Sequence, residues 1–148
     1  MEPFVITRSY KGVCNCIVTE VEITNNLNGK TISTLAIWDT GATGSVVTEK
    51  TAADLGLVEV SKEPVNTAGG LIETSIYYCD ITLLGSCKIK VKRRVSECKK
   101  LSASEEVGML IGMDIITLGD FAITNLNGKT VMSFRFPSLG RIDFSIRK

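Results

Sequence analysis

Apolar and polar residues alternate along much of this chain, which is the pattern of β-strands with one buried face. Residues 13–23 approximate this alternation, and a second extended run covers residues 30–38. Between the two runs lies the sequence Asn-Leu-Asn-Gly at residues 26–29, and an asparagine–glycine turn in this position predicts a β-hairpin. The same reasoning predicts strands at residues 71–84 and 87–95, separated by a turn at Gly85 and Ser86.

Signals for helices are few and short. Thr48 can cap a helix that runs through residues 49–55 and ends at Gly56. A second brief helix is expected to begin near Met113 or Asp114. The expected fold class is therefore all-β with one or two short helices. Residues 1–148 are expected to form one domain, since single hydrophobic cores usually run to roughly 100–200 residues.

Composition excludes several classes of protein. Hydrophobic residues make up 44% of the chain and charged residues 22%, which disfavours disorder and predicts a real core. The net charge of +1 gives no global field for attracting nucleic acid or an anionic membrane. No apolar run approaches the roughly 20 residues that span a bilayer, and residues 1–11 contain no apolar core of a signal peptide. We therefore expect a soluble, cytoplasmic protein with neither a membrane nor nucleic acid as partner.

One strand carries a basic face formed by Lys88, Lys90, Lys92 and Arg94. Nucleic-acid binding is the alternative reading of this face, but no aromatic residues interleave with the charges. Lysine-rich faces commonly protect exposed sheet edges from pairing, so a solvated face is favoured.

The chain has no histidine, which excludes a Ser-His-Asp triad, a Cys-His pair and histidine-bearing zinc sites. Acid–base chemistry would then fall first to carboxylates. The cysteines are odd in number, contain no CxxC pair and match no zinc spacing; they are Cys14, Cys16, Cys79, Cys87 and Cys98. They are expected to be reduced, small buried hydrophobes, and no metal site is expected.

The hexapeptide NLNGKT occurs at residues 26–31 and again at residues 125–130, an offset of 99. Two similar hairpins are implied, either because the sequence is good hairpin chemistry or because the two halves are a structural duplication. Aligning the copies places Asp39 opposite Ser138, so only the first half carries an acid.

Candidate chemistry concentrates at residues 39–44, Asp-Thr-Gly-Ala-Thr-Gly, between two apolar stretches. Gly41 and Gly44 let the backbone turn sharply, while Thr40 and Thr43 offer hydroxyls that can brace the loop. The pattern indicates a carboxylate held on a rigid loop.

These residues resemble the active-site loop of the retropepsin-like, single-domain aspartic proteases. Residues 39–43 lie between Leu-Ala-Ile-Trp and Ser-Val-Val, residues 66–70 resemble the family's flap hairpin, and residues 109–116 resemble its second hydrophobic-hydrophobic-glycine element with the following helix. The resemblance spans residues 13–117. It implies a closed β-barrel-like fold that is active as a symmetric homodimer, with one catalytic aspartate per chain.

The resemblance also implies site residues. Asp39 would form a dyad with its symmetry mate and activate a water, Thr40 would brace the loop across the dimer axis, and Gly41 would offer its carbonyl to the substrate. The implied substrate-binding residues are Ala42, Thr43, Ala68, Gly69, Gly70 and Ile111. The implied activity is an aspartic endopeptidase that cuts extended polypeptides with neither metal nor organic cofactor.

Some alternatives stay open at this point. The chain could be a catalytically silent protease-fold module that binds peptide or dimerises. Asp114 could partner Asp39 within one chain, although a helix N-cap explains it better. Trp38 is favoured as a packing residue, and Ile37, Val47, Ile72 and Ile111 are plausible pocket walls. The segment after Ile116 extends past the usual end of the family, so the dimer interface is expected to be built differently.

Overall fold

A computed structural model describes residues 2–103 and 105–145. Within these residues the chain forms ten strands, two short α-helices and one 3-10 turn, Leu126–Gly128. The strands are β1 (Phe4–Ser9), β2 (Val18–Thr24), β3 (Thr31–Trp38), β4 (Val46–Thr48), β5 (Ser61–Thr67), β6 (Gly70–Leu84), β7 (Lys88–Cys98), β8 (Val107–Ile111), β9 (Asp120–Thr124) and β10 (Val131–Phe136). The helices are α1 (Glu49–Leu55) and α2 (Met113–Ile116).

Six strands close into a barrel in the order β2-β3-β8-β4-β7-β6, because β6 also pairs with β2. The closed sheet surrounds a core of aliphatic side chains. The core includes Val21, Ile23, Ala36, Ile81 and Met109, each of them without exposed surface. The predicted fold class, an all-β closed barrel with short helices, is confirmed.

The first predicted hairpin is present, with Thr24 opposite Thr31 and Val18 opposite Ile37. Its first strand begins at Val18 rather than at residue 13. The residues before Val18 are held by other parts of the chain: the Cys14 N–H donates to Thr130 Oγ1 over 2.8 Å, and the Ile17 carbonyl accepts from the Trp38 N–H over 2.9 Å.

Helix α1 has the predicted limits. The Thr48 side chain accepts a hydrogen bond from the Thr51 N–H, and Gly56 ends the helix in the left-handed region with φ of 64°. The second predicted helix is also confirmed, although α2 is only four residues long.

Strands β5 and β6 form a hairpin whose tip extends beyond the closed barrel. Thr67 pairs with Gly70, so Ala68 and Gly69 make the turn at the predicted flap. All four residues are exposed, and Gly70 has φ of 109°, a conformation that favours glycine. The Thr67 hydroxyl donates to the Gly70 carbonyl over 2.7 Å and closes the tip.

A second sheet has the order β1-β10-β9 and includes the second NLNGKT copy. Strand β1 was not expected from the sequence. The two NLNGKT copies both lie at hairpin turns, but Thr24 pairs with Thr31 whereas Thr124 pairs with Val131, so the second turn is shifted by one residue. Ser138, which the alignment of the two copies places opposite Asp39, donates its hydroxyl to Asp120 Oδ1 over 2.5 Å. Shared hairpin chemistry and structural duplication both remain explanations of the repeat.

The basic face lies on β7, whose residues 88–95 pair, among the described strands, only with β6, because the pairing of β7 with β4 is limited to residues 96–98. The basic face therefore lies on a strand segment with one unpaired side, and the expectation of a solvated, edge-protecting face is not contradicted. Lys88 pairs with Glu22 at 2.9 Å and Arg94 pairs with Glu63, while Lys90 and Lys92 are exposed. The absence of a nucleic-acid partner stays a prediction.

All five cysteines are free thiols, but the expectation that they are buried holds fully only for Cys79. Burial raises the pKa of the Cys79 thiol to about 12. Cys16 and Cys87 are exposed, and the other two lie between these extremes. Among the described residues, no helix is both long and apolar enough to cross a membrane.

Candidate active site

Asp39 is the first residue after β3. Its N–H donates to the Ile111 carbonyl at the end of β8 over 2.9 Å, and its Oδ1 accepts from the Gly41 N–H over 2.8 Å. Backbone and side chain are thus both fixed, and the residue remains partly exposed. Thr40 and Gly41 are exposed beside it. This geometry presents an oriented carboxylate at the protein surface.

The loop after Asp39 is fastened to the start of α2. The Ala42 carbonyl accepts from the Met113 N–H over 2.8 Å, and the Thr43 carbonyl accepts from the Asp114 N–H over 3.2 Å. The Ala42 N–H in turn donates to the Asp39 carbonyl over 3.2 Å. Because α2 packs into the core, these bonds hold the loop to a rigid support.

Asp114 supports the loop through its side chain. The buried Ser45 hydroxyl donates to Asp114 Oδ1 over 2.7 Å and accepts from the Gly112 N–H over 3.1 Å. Arg93 Nη2 donates to the Asp114 carbonyl over 3.3 Å. The N-cap interpretation of Asp114 was wrong, since Gly112 occupies the cap and no side chain caps the helix. Sequence reasoning missed Ser45 and Arg93, because neither carries a local signal of its distant partner.

Gly112 is required by close packing. A Cβ at this position would lie 2.5 Å from the Gly44 carbonyl oxygen and 3.0 Å from the Ala42 carbonyl oxygen. Both contacts are with backbone, which cannot rotate away as a side chain can. The glycine therefore sets how closely the Asp39 loop approaches α2.

Trp38 anchors the strand that carries Asp39. Its Nε1–H donates to Thr19 Oγ1 over 2.8 Å, and its ring stacks on Phe121 with centroids 5.4 Å apart. The side chain is buried, so the interpretation of Trp38 as a packing residue is confirmed.

A depression of about 330 Å³ lies beside Asp39. It is lined by Cys14, Asn15, Cys16, Ile17, Ile37, Trp38, Asp39, Ile123 and Asn125. Asp39 is the one carboxylate among the described residues of this lining.

The predicted substrate residues occupy different environments. Ala42 is partly exposed and Thr43 is exposed, next to Asp39, while Ala68, Gly69 and Gly70 lie at the exposed flap tip. Ile111 has no exposed surface, and it contributes to the site through the carbonyl that holds Asp39. Of the suggested wall residues, Ile37 lines the depression, Val47 is buried and Ile72 is exposed on the flap. Substrate binding by these residues stays a prediction.

No group of three or more His, Cys, Asp or Glu residues within residues 2–103 and 105–145 is arranged to hold a metal ion. The chemistry available at Asp39 is that of a carboxylate, which can accept or donate a proton according to its ionisation.

The chain belongs to the aspartyl protease family, whose model matches residues 21–115. The match includes the Asp39 loop, the flap hairpin and the start of α2. A comparison with curated proteins gives no match.

Several solved structures resemble this one. EIAV protease complexed with the inhibitor HBY-793 is 24% identical, with a TM-score of 0.46 over 69% of this chain and 86% of that chain. Simian foamy virus (mac) protease is 21% identical, with a TM-score of 0.44 over 66% and 89%. A retropepsin-like aspartic protease from Rickettsia conorii is 15% identical, with a TM-score of 0.43 over 83% and 97%.

Proposed function

We propose that this protein is an endopeptidase that hydrolyses peptide bonds of extended polypeptides through Asp39 from each of two identical subunits. The observation that carries the proposal is the Asp39 carboxylate, fixed by the Gly41 N–H yet partly exposed, on the loop matched by the aspartyl protease family.

In the proposed mechanism the two carboxyl groups share one proton, because two adjacent carboxyls do not both ionise. The ionised carboxylate takes a proton from a water as the water attacks the scissile carbonyl. The protonated partner donates to the carbonyl oxygen, on which negative charge develops. The resulting gem-diol then collapses: its C–N bond breaks as the newly protonated carboxyl gives its proton to the amine nitrogen and the other carboxylate takes a proton from a hydroxyl, so no covalent intermediate with the enzyme is required.

The lining of the site supports the proposal of two subunits. Asp114 is committed to the Ser45 hydroxyl, and the described residues of the Asp39 depression include no second acid. A twofold axis beside the loop would bring Asp39 next to its symmetry mate. One aspartate per chain then gives the pair that the mechanism requires.

The flap hairpin is the proposed cover of the substrate. Its tip residues, Ala68 and Gly69, are exposed and small, and the strand register continues up to Thr67 and Gly70. A hairpin of this kind offers main-chain groups to an extended peptide, which can bind as an added strand.

The experiment is cleavage of a diverse peptide mixture between about pH 4 and pH 7, a range that runs from acidic to neutral conditions for acid–base catalysis. Wild type is compared with Asp39→Asn and, as a matched control, with Asp54→Asn, which alters an exposed carboxylate of α1. We expect cuts by wild type and by Asp54→Asn, strongest on the acid side, and none by Asp39→Asn. Full activity of Asp39→Asn would overturn the chemistry. A folded wild type that binds peptides and never cuts them would make the protein a silent peptide-binding module.

A further inference from the structure

Four large apolar side chains remain exposed around one cavity of the barrel surface. Leu27 keeps 82% of its surface exposed, Val58 60%, Val60 54% and Tyr78 52%. Together with Asn25, Asn26 and Lys92 they line a cavity of about 450 Å³, and we call this surface the Leu27 patch. Single exposed apolar residues are usual on proteins, whereas a group of them around one cavity is typical of a binding site.

The Leu27 patch lies apart from the candidate active site. Leu27 belongs to the turn before β3, whereas Asp39 is the first residue after β3. Strand β3 has eight residues, and a strand of this length spans about 25 Å. The chemistry proposed for Asp39 therefore does not explain why these apolar side chains are exposed.

Hydrogen bonds fix the walls of this cavity. The buried Asn25 side chain donates from Nδ2 to the Leu55 carbonyl over 2.9 Å, and its Oδ1 accepts from the Leu27 N–H over 3.0 Å. The turn before β3 is thus attached to the end of α1. The Val60 N–H donates to the Ile76 carbonyl over 2.9 Å, which attaches the link between α1 and β5 to β6. A preformed cavity loses less conformational entropy on binding than one that must first be ordered.

The rim of the Leu27 patch is basic. Lys92 lines the cavity, and Lys90 is exposed two residues earlier on the same face of β7. In the described part of the chain, neither amine belongs to an ion pair. Asp80 lies opposite Lys92 in the β6–β7 ladder but is only 8% exposed, and Glu59 forms an ion pair with Lys62 at 4.0 Å. The unpaired charges that face solvent at this rim are therefore the two amines.

We propose that the Leu27 patch docks a segment of a partner polypeptide in which large apolar side chains stand beside carboxylates. The apolar side chains enter the cavity and are removed from water, while the carboxylates face Lys90 and Lys92. Neighbouring residues of one peptide supply both kinds of group. The proposal goes beyond the proposed function, since docking at this surface requires no hydrolysis of a peptide bond.

The test follows isotope-labelled protein by NMR while the peptide acetyl-Glu-Leu-Asp-Phe-Glu-amide is added to millimolar concentration. We expect the amide signals of residues 26–27, 58–60 and 78 to shift, in wild type and in Asp39→Asn alike, because the patch lies apart from Asp39. The charge-reversed peptide acetyl-Lys-Leu-Lys-Phe-Lys-amide should bind at least about threefold more weakly. Absence of shifts at these residues would overturn the docking site.

Two pairs of variants separate the charged and the apolar contributions. Lys92→Glu should weaken binding of the acidic peptide at least about threefold, because attraction becomes repulsion, whereas Lys129→Glu alters an exposed lysine after the 3-10 turn and should leave binding unchanged. Leu27→Ser should also weaken binding. Its matched control is Leu126→Ser, at the same position of the second NLNGKT copy, where the leucine is 78% exposed and lies outside the patch.

All four substituted side chains are exposed, so the variants should keep the fold. Equal affinity of wild type and either Lys92→Glu or Leu27→Ser for the acidic peptide would overturn the proposal. Shifts at the patch that follow protein concentration without peptide would assign the surface to a second copy of this chain and overturn the proposed partner.

Discussion

Gly112 is the residue at which packing leaves least room near the candidate site. Replacing it with alanine places a methyl group 2.5 Å from the Gly44 carbonyl oxygen, which forces the Asp39 loop away from α2. We expect Gly112→Ala to lower the free energy of unfolding by about 1–3 kcal/mol and to reduce cleavage more than this loss explains. Urea unfolding and peptide cleavage of the same sample measure the two effects.

The matched control is Gly44→Ala, since a Cβ at Gly44 meets no atom within 4 Å. Its free energy of unfolding should stay within about 0.5 kcal/mol of wild type. If both substitutions lowered the free energy of unfolding equally, close packing against the Gly44 carbonyl would not be the reason for a glycine at position 112.

At the scale of elements, Asp120 fastens the start of β9 to the segment after β10. Hydrogen bonds from the Ser138 hydroxyl and the Leu139 N–H, together with the Arg135 guanidinium, lower the pKa of this carboxyl to about 2. A lowered pKa stabilises the fold above the unfolded-state pKa of about 3.9 and loses that effect as the pH falls through the folded-state value.

We therefore expect Asp120→Asn to unfold at lower denaturant than wild type at pH 6. The difference between the two midpoints should shrink below about pH 4 and be small at pH 2, where about half of the wild-type carboxyl is protonated in the folded protein as well. Urea titrations from pH 6 to pH 2 measure it. A difference that is constant over this range would mean that the charge of Asp120 does not contribute.

Elements defined by neighbouring residues could be predicted from the sequence, and elements defined by distant partners could not. Thr48 and Gly56 mark the ends of α1 locally, and the asparagine–glycine turn marks the β2–β3 hairpin. Strand β1 has a short alternation at Phe4 and Ile6 and pairs with β10 more than a hundred residues later. The residues around β1 do not indicate so distant a partner, and β1 was not predicted from the sequence for this reason.

The same limit applies to the candidate site at the scale of the whole molecule. Asp39, Thr40 and Gly41 stand together in the sequence, so their motif could be recognised. Their support comes from the parallel pairing of β3 with β8, which places Trp38 beside Ile111. Residues 39–45 meet residues 111–114 only in the closed barrel. The roles of Ser45 and Gly112 depend on this contact, so the sequence alone could not predict them.

If two subunits share the dyad, cleavage activity depends on which subunits pair with each other. Wild type is mixed with about a ninefold excess of Asp39→Asn at concentrations that favour the dimer, so that a wild-type subunit finds a wild-type partner about one time in ten. Cleavage per wild-type subunit should fall to about a tenth once the subunits exchange. The control is the same excess of Asp54→Asn, a variant of an exposed carboxylate of α1 that keeps Asp39, and it should leave cleavage per subunit of the mixture unchanged. Undiminished activity in the first mixture would mean that one Asp39 suffices, and the second carboxyl would then have to come from within the same chain.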